Sequence, residues 1–241
     1  MNTLYYGDNL GILRDEKRIP SESIDLCYIE PPFNSQRTYN QIYSTPKKTD
    51  AAQAHAFTDM WTWDTAANVG FDEIITNVSG RFNIQTIELF RGLNHVIKGT
   101  SLFAYLVSIT LRLIEIHRLL KPTGSFYLHC DPTASHYLKI VLDAVFGPEN
   151  FRSDITWKRT NVHSDSKDWS AVADTILYYV RDCHDLFTWN QIHLKHSDEH
   201  IASKYQEDED GNLFTLSDMT SPNPRPNMMY EWKGFPSPAM G

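Results

Sequence analysis

The residues of this chain best suited to chemistry stand together at 28–34, Tyr-Ile-Glu-Pro-Pro-Phe-Asn. Glu30 offers carboxylate oxygens. Pro31 and Pro32 fix φ twice and donate no backbone hydrogen bond, so the carbonyls there stay available to a ligand. Phe33 adds a flat aromatic face. Acceptor oxygens beside a ring suit a planar group carrying an exocyclic amine: the oxygens take the N–H donors and Phe33 stacks on the ring. A plain turn with Glu30 as a solvated carboxylate is the competing reading of the tetrapeptide alone.

The elements that position this loop follow from the flanking pattern. Ile24-Asp25-Leu26-Cys27-Tyr28-Ile29 reads as a buried strand, so the loop leaves a strand's C-terminal end, the edge where ligands bind in open α/β sheets. Residues 4–6 read as a short strand and 8–18 as a helix with an Asp8/Asn9 N-cap. Residues 34–60 lack periodicity and read as a long surface loop, anchored to the core by Trp61 and Trp63. Phe71–Ile75 is helical in pattern, and 85–97 and 101–120 read as helices. In the second, Leu102, Leu106, Ile109, Leu113 and Ile116 give one buried face, with Arg112, Glu115 and Arg118 towards solvent. Pro122 stops that helix and Gly124 permits the turn. A strand at 125–130, a helix at 134–146 and strands at 153–158 and 174–181 complete an α/β pattern. His129 and Asp131 end the first of these strands in the same cleft as Glu30. Asp131-Pro132 reads as a cap for the following helix. Lys158 and Arg159 end the next strand, either as phosphate contacts or as an ordinary solvated edge.

Several blocks together resemble the amino-methyltransferases of DNA, whose signature is an acidic, Asn or Ser residue followed by Pro-Pro and an aromatic. They are Leu4–Leu10, the loop at 30–33, Arg112–Ser125, Phe126–Lys139 and Phe151–Thr160. Their order is that of the class in which the catalytic loop precedes the cofactor glycine loop. The resemblance implies a Rossmann-like methyltransferase sheet with flanking helices. It also implies methyl transfer from S-adenosylmethionine to the exocyclic amine of a base flipped out of double-stranded DNA, with adenine favoured over cytosine. Glu30 and the Pro31 carbonyl would accept the amine hydrogens, within a catalytic loop of Glu30, Pro31, Pro32 and Phe33. Asp8 and Asn34 are the expected cofactor contacts, with capping and turn-holding as their alternatives. Arg37, Lys158 and Arg159 are the expected DNA contacts. Residues 1–182 would form the catalytic part, and 183–241 the start of a target-recognition region or an irregular tail.

Two departures from the family stand out. Glu30 replaces the usual Asp, Asn or Ser and adds a methylene, a displacement of roughly an ångström. None of the eleven glycines forms a Gly-X-Gly turn, so the chain reads as the front part of a longer enzyme, its sheet incomplete. A catalytically inactive DNA-binding fragment is therefore the second reading. Methylation of protein glutamine or RNA amines fits less well, because those enzymes usually carry the glycine loop first, and the 27 residues before Tyr28 contain none.

Composition bounds the rest. The 241 residues, 41% of them hydrophobic, suffice for one sizeable core. The sequence has no run of 18 apolar residues and no signal peptide, so a cytoplasmic protein without membrane contact is expected. The net charge of −8 opposes the basic footprint usual for DNA binding. Either the positive charge is concentrated on one face or a basic region lies outside the chain. Cys27, Cys130 and Cys183 read as small hydrophobes. His193, His196 and His200 lack a cysteine or carboxylate framework, so no metal is expected. A homodimer, or a missing C-terminal part, remains open as a partner.

Overall fold

The computed structural model describes residues 2–33, 61–161, 169–184, 187–192, 195–217, 230–231 and 233–235, and the backbone of 37–40 and 55–59. The chain divides into two compact units, Met1–Trp189 and Asn190–Gly241.

A helix hydrophobic on nearly every side belongs in a protein's centre, and α4 (Ser101–Leu119) is such a helix. Thr100 caps it, its hydroxyl accepting from the Phe103 amide at 3.1 Å. Phe103, Tyr105, Leu106 and Leu113 are fully buried, so more than the single predicted face is covered. Glu115 corrects the expectation of a solvent-facing position: it is 1% exposed. Arg118 Nε lies 3.0 Å from its carboxylate, Arg14 Nε lies 3.5 Å away, and Arg81 donates a hydrogen bond. Arg14 and Arg81 come from distant parts of the chain and make this burial tolerable.

Around α4 pack α1 (Asn9–Arg14), α2 (Thr65–Thr76), α3 (Ile84–Ile97) and α5 (Ser135–Phe146). Gly70 lets α2 approach closely, since a Cβ there would stand 2.8 Å from Val107 Cγ1. Trp61 meets Tyr105 edge-on at 5.5 Å and Trp63 stacks on Phe103 at 5.0 Å, the anchoring role expected of them. Residues 4–6 form no strand, and α1 is shorter than the predicted helix at 8–18. Its chain turns at Asp15, whose carboxylate accepts from the Lys17 amide at 3.1 Å.

The sheet contains β1 (Ile24–Ile29), β4 (Leu120–Cys130), β5 (Phe151–Lys158) and β6 (Ala173–Val180) in the order β1-β4-β6-β5. The first pair is parallel; the other two are antiparallel. The predicted turn at 122–124 is instead an irregularity inside β4, between the pairs Ile24↔Leu120 and Leu26↔Ser125. Gly124 sits where a Cβ would be 2.9 Å from the Lys121 carbonyl, a close backbone approach that suits glycine. Period-two alternation then sorts the side chains. Phe126, Leu128, Cys130, Leu177 and Tyr179 join the helices in the core. Tyr127, His129, Asp174, Ile176 and Tyr178 occupy alternate positions, on the other face. Burial pushes the Cys130 thiol up to about 12 and the Cys27 thiol up to about 11, as befits inert small hydrophobes.

The segment read as a long loop contains an antiparallel pair, β2 (Arg37–Asn40) with β3 (His55–Asp59). In the second unit, α6 (Asp198–Lys204) is capped by Ser197. Strands β7 (Gln206–Glu207) and β8 (Leu213–Phe214) flank the predicted acidic turn. There Asp208 accepts from the Asn212 amide at 2.8 Å and Gly211 takes φ +83°. Among the described residues no helix is long and apolar enough to cross a membrane.

Candidate active site

The parallel register aligns Tyr28 with Tyr127 and Ile29 with Leu128. Continued by one residue, it sets Glu30 beside His129, at the C-terminal ends of β1 and β4. The antiparallel register aligns His129 with Ile176. Two residues before Ile176, on the same face, stands Asp174, within diagonal reach of His129. The result is a line of groups across three strands. Glu30 Oε1 lies 3.7 Å from His129 Nδ1, and His129 Nε2 lies 3.3 Å from Asp174 Oδ2. Tyr28 Oη is 3.3 Å from the same Nδ1. Arg159 Nη1 stands 3.1 Å from Asp174 Oδ1, an ion pair without hydrogen-bond geometry.

Exposure differs sharply along this line. The Glu30 side chain is 60% exposed, whereas those of His129 and Asp174 are 11% and 2% exposed. The Phe33 ring leans on the imidazole, with centroids 5.5 Å apart. Pro31 and Pro32 are half-buried, and the Pro31 carbonyl accepts no hydrogen bond among the described residues. Behind the loop, Tyr127 stacks on Tyr178 at 4.5 Å and on Tyr28 at 6.4 Å. Burial, reinforced by the Glu30 charge, raises the Tyr28 hydroxyl above its usual value, so it remains a hydrogen donor at neutral pH. An exposed acceptor, a backbone carbonyl without a partner among the described residues and an aromatic edge, backed by a buried polar chain, can hold an amine and manage its protons.

The sequence-level site residues distribute as follows. Glu30, Phe33 and His129 come together. Asp131 holds the turn before α5, accepting from the Thr133 amide at 3.0 Å. The helix itself starts at Ala134 without a side-chain cap, which corrects the capping expectation. Asp8 caps α1, its Oδ1 accepting from the Leu10 amide at 3.3 Å and pairing with Arg112 at 2.7 Å. Its Oδ2 has no hydrogen-bond partner among the described residues. Asp8 also lines a cavity of about 480 Å³ with Trp61, Asp64, Glu73 and Arg112. Residues 30–33 are not part of that lining. Lys158 is exposed at the end of β5, and Arg159 is engaged by Asp174. Asn34 and the Arg37 side chain lie outside the described residues. Asp174 and Tyr28 had no individual signal in the sequence, because only strand pairing brings them to His129. Consecutive Asp182, Cys183 and His184 bring donor atoms within 4.8 Å of one another, but one Asp182 oxygen already accepts from the His184 amide.

The family model for N6/N4 DNA methylases, described as DNA methylase, matches residues 24–234. The chain belongs to this family. Among curated proteins, it is 24% identical over 207 residues to the type III restriction-modification enzyme StyLTI Mod subunit of Salmonella typhimurium, covering 86% of this chain and 27% of that protein. It is 26% identical over 219 residues to the type III restriction-modification enzyme EcoPI Mod subunit of Escherichia phage P1, covering 90% and 29%. The chain thus spans less than a third of the length of these relatives. A solved structure, the PvuII DNA methyltransferase (cytosine-N4-specific), aligns with a TM-score of 0.40 at 14% identity, covering 76% of this chain and 49% of that one. The matched span, 24–234, includes the 30–33 loop at the sheet edge and the buried His129–Asp174 pair behind it.

Proposed function

We propose that this chain carries the amine-binding half of a site-specific DNA methyltransferase that methylates the exocyclic nitrogen of a flipped base, adenine in preference to cytosine. The observation that carries the reading is the exposed Glu30 carboxylate at the end of β1, followed by the Pro31 carbonyl, which accepts no hydrogen bond among the described residues, and the Phe33 ring. Glu30 and Pro31 would accept the two amine hydrogens and direct the nitrogen lone pair outward, while Phe33 stacks on the base. No covalent nucleophile is needed, so positioning and electrostatics carry the rate. The preference for adenine rests on the form of the motif. The names of the Mod-subunit relatives support a place in a restriction–modification system, acting on double-stranded DNA in the cytoplasm.

The reading requires S-adenosylmethionine, which when bound supplies an electrophilic methyl group. Asp8 suits its adenine side: Oδ2, without a hydrogen-bond partner among the described residues, stands on the wall of a cavity whose volume lies in the range of small-ligand sites, with the Trp61 ring nearby. Asn34 is the second proposed contact. Residues 183–241 would begin target recognition, and Arg37, Lys158 and Arg159 would meet phosphate.

Calorimetric titration of the 241-residue chain with S-adenosylmethionine tests the cofactor site. Transfer of labelled methyl to DNA, with digestion to nucleosides, tests the reaction and separates N6-methyladenine from N4-methylcytosine. Saturable binding with labelled adenine is the expected result. No binding up to millimolar cofactor, with no label in DNA, would defeat the proposal. Glu30→Asp decides the inactive alternative: a gain in transfer would identify the added methylene as a lesion, and no gain would dismiss it.

A further inference from the structure

This inference rests on the amine-methylating reading. In that reaction the nitrogen lone pair forms the new N–C bond. The C–S bond breaks with its electron pair left on sulfur. The nitrogen is then positively charged until it loses a hydrogen as a proton. Glu30 Oε1 is placed to take it, but a protonated Glu30 no longer accepts fully from the next amine. A bound base would also screen Glu30 from water. The site needs somewhere to send the proton while it is occupied.

We propose that His129, backed by Asp174, receives this proton from Glu30 and holds it until product leaves. The tautomer follows from the contacts. An ionised carboxylate only accepts, so the ring nitrogen facing Asp174 Oδ2 at 3.3 Å is the one carrying hydrogen in the neutral ring. That leaves the lone pair on Nδ1, the nitrogen 3.7 Å from Glu30 Oε1. Each protonation state also has its own partner at Nδ1. In the neutral ring Nδ1 accepts from the Tyr28 hydroxyl, 3.3 Å away. In the imidazolium Nδ1–H faces Glu30 Oε1, which a small rotation of the exposed Glu30 side chain brings from 3.7 Å into hydrogen-bond reach, and the half-exposed Tyr28 hydroxyl turns away to accept or to meet solvent.

The charges around the ring suit the same cycle. Glu30 faces it from the catalytic loop, Tyr28 from β1 and Asp174 from β6, with Arg159 behind Asp174 at the end of β5. Asp174 already has Arg159 as a counter-charge, so its burial does not by itself require a charged histidine. A proton arriving on His129 lies between two carboxylates, Glu30 facing Nδ1 and Asp174 facing Nε2. After product leaves, the path runs backwards: Nδ1 returns the proton to Glu30, and Glu30, 60% exposed, gives it to water. The carboxylate-oriented histidine is a general device for orienting and charging an imidazole. Here it would serve proton removal and would form no bond to substrate.

Two measurements on the 241-residue chain test this. Long-range proton–nitrogen NMR without cofactor reads the His129 tautomer, and the Nε2–H form is expected. In methyl-transfer assays His129→Gln, which fills a similar space, should lower kcat by about 10²-fold while KM for S-adenosylmethionine stays level. His129→Ala should recover rate when free imidazole is added, which a purely structural loss would not do. His129→Gln keeps the test open if the Ala variant fails to fold. An Nδ1–H tautomer, or wild-type kcat in His129→Gln, overturns the relay and leaves the amine-methylating reading intact. An unaltered chain that transfers no methyl to DNA overturns that reading, and the relay with it, whichever tautomer is seen.

Discussion

Glu30 and Glu115 carry the same functional group and have opposite fates. Glu30 is 60% exposed, has no Lys or Arg partner among the described residues and stands at a strand end beside the Pro31 carbonyl. Removing it should therefore cost chemistry and spare the fold. For Glu30→Ala, methyl transfer is expected to fall by about 10²–10³-fold, the usual loss for one preorganised polar group in a site. The urea midpoint should stay near wild type. Label incorporation and a denaturation curve on the same preparation check both halves. Glu115 is the converse. It lies on a buried face of α4 among Arg14, Arg81 and Arg118. Removing it takes a shared carboxylate from three guanidinium groups: Arg14 keeps Glu73 and Arg118 keeps Glu16, while Arg81 has no other carboxylate partner among the described residues. Glu115→Ala is expected to lose about 2–4 kcal/mol, slightly below the range for a broken buried pair because the arginines keep some solvent. Urea unfolding measures it, and a loss under 1 kcal/mol would mean that water screens the cluster.

At the level of elements, α4 and α5 meet through His117, whose ring packs edge-on against Phe146 at 4.9 Å. Arg181 Nε donates to the His117 carbonyl at 2.8 Å, closing the same corner. Burial, with the Arg181 charge beside it, lowers the imidazole from 6.5 to about 4. The folded state then keeps this histidine neutral at pH values where the unfolded chain protonates it. Its contribution is complete above pH 6.5 and is lost as pH falls towards 4, by about 1.4 kcal/mol per pH unit over that window. His117→Gln should flatten that slope, read from denaturant midpoints between pH 7 and 4. Most elements were legible in the sequence, because long periodic segments such as Ile84–Ile97 and Ser135–Phe146 dictate their own structure. The strand before Glu30 was legible too, as a β-branched run cut by two prolines. What escaped depends on distant partners. Glu115 looked solvent-facing because its helix neighbours are charged, while its burial depends on Arg14, 101 positions earlier. Asp174 reaches His129 only through the β4–β6 register, which no local pattern encodes. The β2–β3 pair is held by a cross-strand register through a segment without alternation, so it read as loop.

Across the whole molecule the net charge is −8, and among the described residues many of the arginines are already paired with carboxylates. Among the described residues Arg14, Arg81 and Arg118 surround Glu115, Arg112 meets Asp8, Lys121 meets Asp25, Lys139 meets Asp143, and Arg159 meets Asp174. A duplex bound by this chain would therefore release few counterions. With about two phosphates neutralised, affinity should fall only about tenfold between 50 and 200 mM salt. Fluorescence anisotropy of a labelled duplex gives that slope. The two proposed phosphate contacts at the end of β5 should then separate. Lys158 is exposed and has no ion pair among the described residues, so Lys158→Ala should weaken binding on every sequence and reduce the slope by about one. Arg159 instead balances the buried Asp174 carboxylate behind His129. Arg159→Ala should leave the salt slope nearly unchanged and lower both stability and methyl transfer, because the carboxylate that orients His129 loses its fixed counter-charge. Equal slopes for the two variants would make Arg159 a simple phosphate contact and detach it from the site. A slope several times steeper in the unaltered chain would mean that cations outside these pairs form the DNA surface.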